Sequence, residues 1–404
     1  MLTMEIISMD RARAALAHIH GLEVQAHGKK GTLEALNWLK CIQSDPIDVA
    51  GRNHDLTLQS RVEDYKSKYL DDLLYRDRKL FEYTCKMLSI MPIEAYPIFH
   101  WRRQFHVAQD AAFMKEYRDT VKEILKAAEL GPIASKDFTS EKKEHWWGMT
   151  KVARIALERL WMQGVLVIHH REGGIKFYAL AEDVIPGKLL NAEPPGETES
   201  MLTKTLFIVK ASRLVSATRA PEQWYFAGKK STVVAANLET LVKSDDLFKL
   251  TIEGCKGILY APIEDREVWT DPPGIEKDRV RFLAPLDPLI WNRKLFCEVY
   301  GHEYKWEVYT RPQERKYGYY CLPVLFTGEF AGLIEPFLRK KDMIMELRSF
   351  HVIKKGLVKR DFLGALETEI GRFGSNLGAV GMEVGAGCPK FISGIASGYT
   401  INKD

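Results

Sequence analysis

Several features that would place this chain in a specialised class of protein are missing from its sequence. The six cysteines are widely scattered and form no C-x-x-C pair, so neither a disulfide framework nor a cysteine zinc site is predicted. His100 and His106 flank WRRQF with a spacing that matches no zinc motif, which favours a polar helix surface. We therefore expect no metal and no cofactor.

Long apolar runs and a strong net charge are also missing. No run approaches the roughly 20 apolar residues of a membrane span, and residues 1–21 lack the basic start and apolar core of a secretory signal. A cytoplasmic protein without a membrane partner is the expectation. The formal net charge of +4 permits a nucleic-acid partner without demanding one, so any basic surface must be local.

The glycine cluster at residues 378–390 lacks the spacing of a phosphate loop and predicts turns. Apolar residues at helical spacing predict helices after Ser8, from Thr32 to before Pro46, and over residues 69–85, 110–130 and 357–373. A length of 404 residues indicates two to four domains.

The stretch CIQSDPIDVAGRNHDLTLQSRV, residues 41–62, is unusually rich in polar groups. Asp45 precedes a proline, which favours extended backbone, and in extended chain Gln43 and Asp45 leave on the same face. The alternation of Leu56, Leu58 and Val62 with polar residues predicts a strand. The pair could act on one target, although an aspartate before proline is also a common turn or capping arrangement.

Residues 149–180 carry the clearest local pattern. Val152, Ile155, Ala156 and Leu160 form one helical face, Gly164 ends the helix, and two strands follow around Gly173 and Gly174. Helix followed by hairpin is the order of a winged helix, a module that often contacts DNA but also occurs in proteins that bind nothing. A weaker copy follows the linker at residues 191–200, with a helix over 238–247 and strands over 248–252 and 257–260.

After Pro285 the sequence becomes dense in aromatic and β-branched residues, which predicts a β-rich domain. Strands over residues 304–310 and 317–325 would form a hairpin. Its tip would carry Arg311, Arg315 and Lys316. Such a tip could brace or wedge a duplex, or could simply cap the end of the domain.

Five ordered motifs together resemble the winged-helix DNA glycosylases that repair interstrand crosslinks, the AlkZ/YcaQ type. The motifs are QSDPIDVAGRNHDLTLQSRV (43–62), FEY (81–83), WWGMTKVARIALERL (146–160), LAPLDPLIWNRKL (283–295) and WEVYTRPQERKYGYYCLPVL (306–325). The resemblance implies an α+β fold in which tandem winged-helix (helix-turn-helix) domains surround a C-terminal β-barrel-like domain. On that basis we divide the chain into residues 1–135 with the catalytic motif, a second winged helix at 136–190, a third at 200–275, and a barrel-like domain at 276–404.

The family's catalytic signature is Gln, an apolar residue, then Asp or Gln, which falls on Gln43, Ser44 and Asp45. Two departures are visible: Ser44 stands where an apolar residue is usual, and Thr84, Cys85 and Lys86 replace a tryptophan, glycine and histidine series after FEY. A contact made by that histidine cannot be carried over. Both departures bear on the range of substrates.

The resemblance implies a monofunctional DNA glycosylase that hydrolyses N7-alkylated purines in double-stranded DNA, crosslinked purines among them, and acts as a monomer. The expected DNA-contacting residues are Arg52, Asn53, His54, Gln59, Arg61, Lys151, Arg154, Arg171, Lys176, Arg311, Arg315 and Lys316. Arg52, His54 and Arg61 could equally be structural ion-pair and hydrogen-bond partners. The four basic residues in 151–176 could be a solvated face. The alternatives to an enzyme are a winged-helix regulator without catalysis and a scaffold that binds a protein.

Overall fold

A computed structural model describes residues 4–23, 26–145, 148–216, 231–275 and 279–396. Trp146 and Trp147, which open one of the family motifs, lie outside this part of the chain. The contacts group the chain into two compact units, residues 1–70 with 205–404 and residues 71–204. The finer division into four domains stays a prediction.

The fold is mixed α+β. The helices are α1 (Met9–Ile19), α2 (Gly28–Leu39), α3 (Asn53–Gln59), α4 (Ser67–Asp71), α5 (His100–Glu116), α6 (Arg118–Ala128), α7 (Val152–Met162), α8 (Ala181–Val184), α9 (Gly187–Leu190), α10 (Glu197–Ser212), α11 (Ser231–Lys243), α12 (Arg266–Thr270), α13 (Arg293–Tyr300), α14 (Arg360–Asn376) and α15 (Lys390–Ala396). Within the described ranges, none is long and apolar enough to cross a membrane.

The strands are short except in the second half of the chain. They are β1 (Glu5–Ile7), β2 (Ile42–Gln43), β3 (Leu80–Cys85), β4 (Met87–Pro92), β5 (Ile133–Ala134), β6 (Lys142–His145), β7 (Gly148–Lys151), β8 (Leu166–Glu172), β9 (Ile175–Leu180), β10 (Leu247–Ile252), β11 (Leu259–Pro262), β12 (Val280–Phe282), β13 (Leu322–Phe326), β14 (Glu329–Arg339), β15 (Ile344–Val352) and β16 (Gly381–Gly387).

Among the described residues, two sheets consist entirely of strands from the larger unit. One has the order β1-β10-β11, with β1 and β10 parallel, and the other has the order β12-β13-β14-β15-β16, with β15 and β16 parallel and the other neighbours antiparallel. As described, the five-stranded sheet has two free edges and does not close into a barrel. Its inner face packs on α14 through Phe282 and Phe373, among other core residues.

The smaller unit contains the predicted helix and hairpin of residues 149–180. Helix α7 is followed by Gly164 at φ +74°, and strands β8 and β9 pair antiparallel around Gly173 and Gly174. A Cβ on Gly164 would lie 2.2 Å from Cδ of Arg103, so both the backbone angle and the close approach require glycine. The same order recurs in the larger unit as α11, β10 and β11. The two strands lie close to their predicted ranges, but the helix begins seven residues before the predicted start and ends four residues before the predicted end.

The helices predicted after Ser8 and from Thr32, and those over 110–130 and 357–373, are confirmed in their main parts by α1, α2, α5, α6 and α14. The strand expected around Leu56 is wrong, because residues 53–59 form α3. All seven residues of α3 are buried. When every residue of an element is buried, polar and apolar positions no longer mark an exposed and a buried face. Their alternation then does not distinguish a strand from a helix.

Two further predictions fail for local reasons. The helix over 69–85 is wrong beyond Arg76, because a π-helical turn (Asp72–Arg76) ends it and β3 then pairs with β4. The turns expected in the glycine cluster are wrong, because Gly381–Gly387 forms β16 beside β15. A Cβ on Gly385 or Gly387 would lie 2.9 or 2.7 Å from the carbonyl oxygen of Arg348, so these glycines allow the strands to approach.

The predicted hairpin over 304–325 is also wrong. In its place lie two single turns of 3-10 helix, Glu307–Tyr309 and Pro312–Glu314, and β13 pairs with β12 and β14. The carboxylate of Glu307 accepts hydrogen bonds from the backbone N–H groups of Lys316, Tyr317 and Gly318 at 2.8 to 3.2 Å. These bonds satisfy backbone donors that a hairpin would have paired with another strand.

Candidate active site and DNA-contacting residues

Gln43 closes the two-residue strand β2 and is almost fully buried, with 8% of its surface exposed. Its side-chain Oε1 has no hydrogen-bond partner within the described part of the chain. Its backbone carbonyl, in contrast, accepts a hydrogen bond from Nδ2 of Asn53 at 2.8 Å. An inward-facing acceptor without a protein partner is costly unless something else satisfies it, so it marks a candidate functional group.

Asp45 lies in the irregular segment after β2 and is half-buried. Burial raises the pKa of its carboxyl group above the usual value, and a hydrogen bond from the backbone N–H of Ile47 to Oδ1, at 2.9 Å, partly opposes that rise. The bond also fixes the carboxylate against the chain after Pro46. A partly desolvated carboxylate of raised pKa is a better proton acceptor than one in water.

The segment after Asp45 is held by the five-stranded sheet. The backbone N–H of Leu338 in β14 donates to the carbonyl of Val49 at 3.0 Å, and Nζ of Lys340 lies 2.7 Å from Oδ2 of Asp48. The hydroxyl of Tyr320 reaches the carbonyl of Gly51 at 3.5 Å. Residues far along the chain therefore set the position of this segment.

The polar side chains in and just after α3 are used internally. Nε2 of Gln59 donates to the carbonyl of Phe373 at 3.1 Å. Arg61 forms a bidentate pair with Asp287 at 2.7 and 3.0 Å, and both groups are buried. Asn53 is buried as well. These side chains have structural partners, so we leave all three out of the proposed DNA-contacting set.

Arg52 and His54 flank the same helix with different exposure. Arg52 donates from Nε to Oδ2 of Asp55 at 2.7 Å and remains about one-third exposed. His54 is buried, with Nε2 3.8 Å from the same carboxylate. Arg52 also lines a polar surface pocket together with Asp48 and Lys340. Of these two candidates, Arg52 alone presents a substantial part of its charge to solvent.

The four basic candidates in residues 151–176 fall into two pairs. Arg171 binds the buried carboxylate of Glu82 through two guanidinium nitrogens. Burial would raise the pKa of Glu82, but the hydrogen bond and charge of Arg171 hold it below the usual value. Lys151 donates to the carbonyl of Phe138 at 3.1 Å. Both of these basic groups thus have protein partners.

Arg154 and Lys176 form the second pair and line one pocket beside Ser135. The Arg154 side chain is 62% exposed and lies 3.7 Å from Glu158 in a loose helical pair. Nζ of Lys176 lies 4.8 Å from the ring centroid of Trp161. The pocket carries two positive charges and one negative charge, an arrangement that suits a phosphate.

Residues 310–316 form a loop, which we call the basic loop. Arg311 is 76% exposed and lies 3.8 Å from Glu314. Arg315 donates to the carbonyl of Thr310 and covers the ring of Tyr319, while Lys316 covers the ring of Tyr317. Because Glu307 anchors its C-terminal end, the loop presents its charges from a fixed backbone.

The sequence analysis missed Glu307 and Lys340. The paired lysines of the β14–β15 turn could have indicated Lys340, since basic residues at a strand turn are solvent-facing. No signal in the sequence indicates that Glu307 binds three backbone N–H groups. Among the described residues, no group of three or more His, Cys, Asp or Glu side chains is placed to hold a metal ion.

Comparison with known proteins identifies a matching family and a solved structure of similar fold. The profile of the family described as "DNA glycosylase AlkZ-like" matches residues 36–376. Among solved structures, the Streptomyces sahachiroi DNA glycosylase AlkZ superposes with a TM-score of 0.62 at 14% sequence identity. The alignment covers 93% of this chain and 98% of that one. At this identity the superposition shows a shared fold.

Proposed function

Since this chain belongs to the AlkZ-like DNA glycosylase family and is therefore a DNA glycosylase that acts in DNA repair, we propose that it hydrolyses the N-glycosidic bond of N7-alkylated purines in duplex DNA. Interstrand crosslinks through the purine N7 are included among its substrates. We also propose that it works as a cytoplasmic monomer and leaves an abasic site.

The observation that carries this proposal is the pair formed by Gln43 and Asp45. Gln43 offers a buried acceptor without a protein partner, and Asp45, two residues later, has a raised pKa. In hydrolysis, the bond from C1′ to the purine nitrogen breaks and its electrons neutralise the cationic purine. The oxygen of water then bonds to C1′, and Asp45 accepts the proton of that water.

The sugar acquires oxocarbenium character as the base leaves, and a carboxylate stabilises that charge. Gln43 can accept a hydrogen bond from the water without adding a second negative charge. An N7-alkylated purine is already cationic, so it needs no strong general acid to leave. No lysine amine is assigned a role, which supports hydrolysis without strand cleavage.

We assign phosphate contacts to Arg52, to Arg154 and Lys176, and to the basic loop. The two helix-and-hairpin units, α7 with β8 and β9 and α11 with β10 and β11, support a tandem winged-helix architecture. Ordinary glycosylases rotate the base about 180° out of the duplex. A crosslinked base cannot rotate freely, and the partial exposure of Asp45 suits attack on a base that stays near the helix.

The test is direct incubation with defined lesions. Duplexes carrying an N7-alkylguanine monoadduct, an N7-linked crosslink or no lesion are mixed with the protein, and free base and alkali-labile sites are measured. We expect release from both damaged duplexes and none from the undamaged one. Release from neither damaged duplex would refute the proposed substrate class. Release from the monoadduct alone would exclude crosslinks from the substrates.

A further inference from the structure

We propose that Asn53 is a positioning residue that holds the catalytic Gln43 in place from inside the protein. The inference rests on the proposed function, because it requires that Gln43 take part in base release. It assigns Asn53 a role different from the DNA contact that its surroundings in the sequence favour.

Asn53 is the first residue of α3 and is 1% exposed, so DNA cannot reach its side chain. Its Nδ2 donates to the backbone carbonyl of Gln43 at 2.8 Å, and its Oδ1 accepts from the backbone N–H of Leu286 at 2.9 Å. A carboxamide carries both a donor and an acceptor. Asn53 therefore connects Gln43 to a segment more than 200 residues away in the chain.

The segment around Leu286 is itself firmly held. The carbonyl of Leu286 accepts a hydrogen bond from Nε1 of Trp291 at 2.9 Å, and the adjacent Asp287 is paired with Arg61. The carboxylate of Asp287 also accepts the backbone N–H of Leu289 at 3.0 Å. The far side of the Asn53 bridge is thus a fixed point.

The near side of the bridge is a short element. β2 has only two residues, and the chain leaves regular structure immediately after Gln43. A hydrogen bond to the carbonyl of Gln43 restrains the peptide plane at that position and, with it, the Cα–Cβ bond from which the side chain extends. Since a displacement of about 1 Å at a reacting group can cost on the order of 10²-fold in rate, this bond should affect the chemical step.

The informative substitution is Asn53→Asp. It keeps the size of the side chain and the acceptor for Leu286, but it sets an oxygen against the carbonyl of Gln43. The matched control is Gln59→Glu, because Gln59 is also buried in α3 and its Nε2 also donates to a backbone carbonyl, that of Phe373 at 3.1 Å. Asn53→Ala provides a second variant, which removes both bonds without adding charge.

The experiment measures single-turnover base release from a duplex with an N7-alkylguanine monoadduct, at a temperature where each full-length variant is folded by circular dichroism. We expect Asn53→Asp and Asn53→Ala to slow release at least about tenfold while the Kd for DNA changes less than about twofold. Gln59→Glu should stay within about twofold of the unmodified protein in both. Equal losses in Asn53→Asp and Gln59→Glu would overturn the proposal.

A double-mutant cycle with Gln43→Ala separates positioning from general destabilisation. If Asn53 acts through Gln43, Asn53→Asp should cost little more once the Gln43 side chain is gone. Fully additive losses would overturn the proposal. The proposed function is tested separately by Gln43→Ala alone: if this variant releases base at the normal rate, Gln43 is not catalytic and the positioning role falls with it.

Discussion

Two polar stretches of the larger unit look alike in sequence and differ in the folded protein. Residues 53–61 and residues 310–316 both mix arginine with amides and hydroxyls, and both predicted DNA contact. The first stretch is buried: Asn53, Gln59 and Arg61 all have internal partners. The second is held by Glu307 and leaves Arg311 largely exposed.

The difference shows that a high density of polar residues does not by itself separate a binding surface from a structural network. What separates them is whether complementary groups elsewhere in the chain reach the same place. Arg61 pairs with Asp287 inside the protein, whereas Arg311 is 76% exposed and lies 3.8 Å from the exposed Glu314. The predictions below test this comparison.

The largest effect should come from Arg61→Ala. It leaves the carboxylate of Asp287 buried without its partner, so the free energy of unfolding should fall by about 3–5 kcal/mol. Urea denaturation measures this change. Arg311→Ala is the control and should change the free energy of unfolding by no more than about 0.5 kcal/mol. Similar losses in both variants would erase the distinction between the two stretches.

Asp45→Asn tests the proposed catalytic pair, Gln43 and Asp45, which precedes the buried stretch. Removing a fixed charge beside a developing cation should slow base release on the order of 10²-fold or more. Affinity for DNA should hold or rise, because one carboxylate near a polyanion is lost. Single-turnover release and a binding titration measure the two quantities. Undiminished release would falsify the catalytic assignment of Asp45.

The basic loop is tested by replacing Arg311, Arg315 and Lys316 together by alanine. The backbone bonds to Glu307 remain, so the variant should fold normally and release a monoadduct nearly as before. Crosslink unhooking should fall clearly, provided that the comparison is made at matched salt, since lost phosphate contacts weaken all binding. Equal loss on both substrates would make the loop a general phosphate clamp, and no loss on either would make it a cap.

The unit of α7, β8 and β9 contains the same contrast between exposed and internally paired basic residues. Arg154→Ala and Lys176→Ala should each reduce the salt slope of DNA binding by about one unit. Arg171→Ala should leave that slope unchanged and lower stability, because Glu82 would remain buried without its partner. Binding titrations over a range of salt decide this, and an unchanged slope in all three variants would assign Arg154 and Lys176 to a solvated face.

The smallest effect concerns pH. Burial raises the pKa of Asp45, and the ionised form is the active one, so the rate should decline on acidification at a higher pH than an ordinary aspartate would require. The rate with Asp45→Asn should lack this inflection. Release from the same duplex without protein corrects for spontaneous loss of alkylated bases. An identical pH dependence of the rate for both proteins would show that Asp45 is not the group whose titration limits the rate.

Much of the fold could be predicted where neighbouring residues determine it. Helix α7 and its hairpin follow from helical spacing, from Gly164 and from the Gly173–Gly174 turn, all within residues 149–180. The candidate catalytic pair was found because Gln43 and Asp45 are two residues apart in a recognisable motif. In each case the deciding information lies within a short stretch of the chain.

Tertiary structure decided the rest, because the deciding contacts join distant residues. Asn53 connects two segments because the backbone N–H of Leu286 lies within hydrogen-bond distance of its side chain. Arg61 can be buried with its charge because the carboxylate of Asp287 pairs with it. Gly385 belongs to a strand because its missing Cβ leaves room for the carbonyl of Arg348. A sequence shows which groups can donate, accept or carry charge. Only the folded chain determines which of them are satisfied inside the protein and which remain available to DNA.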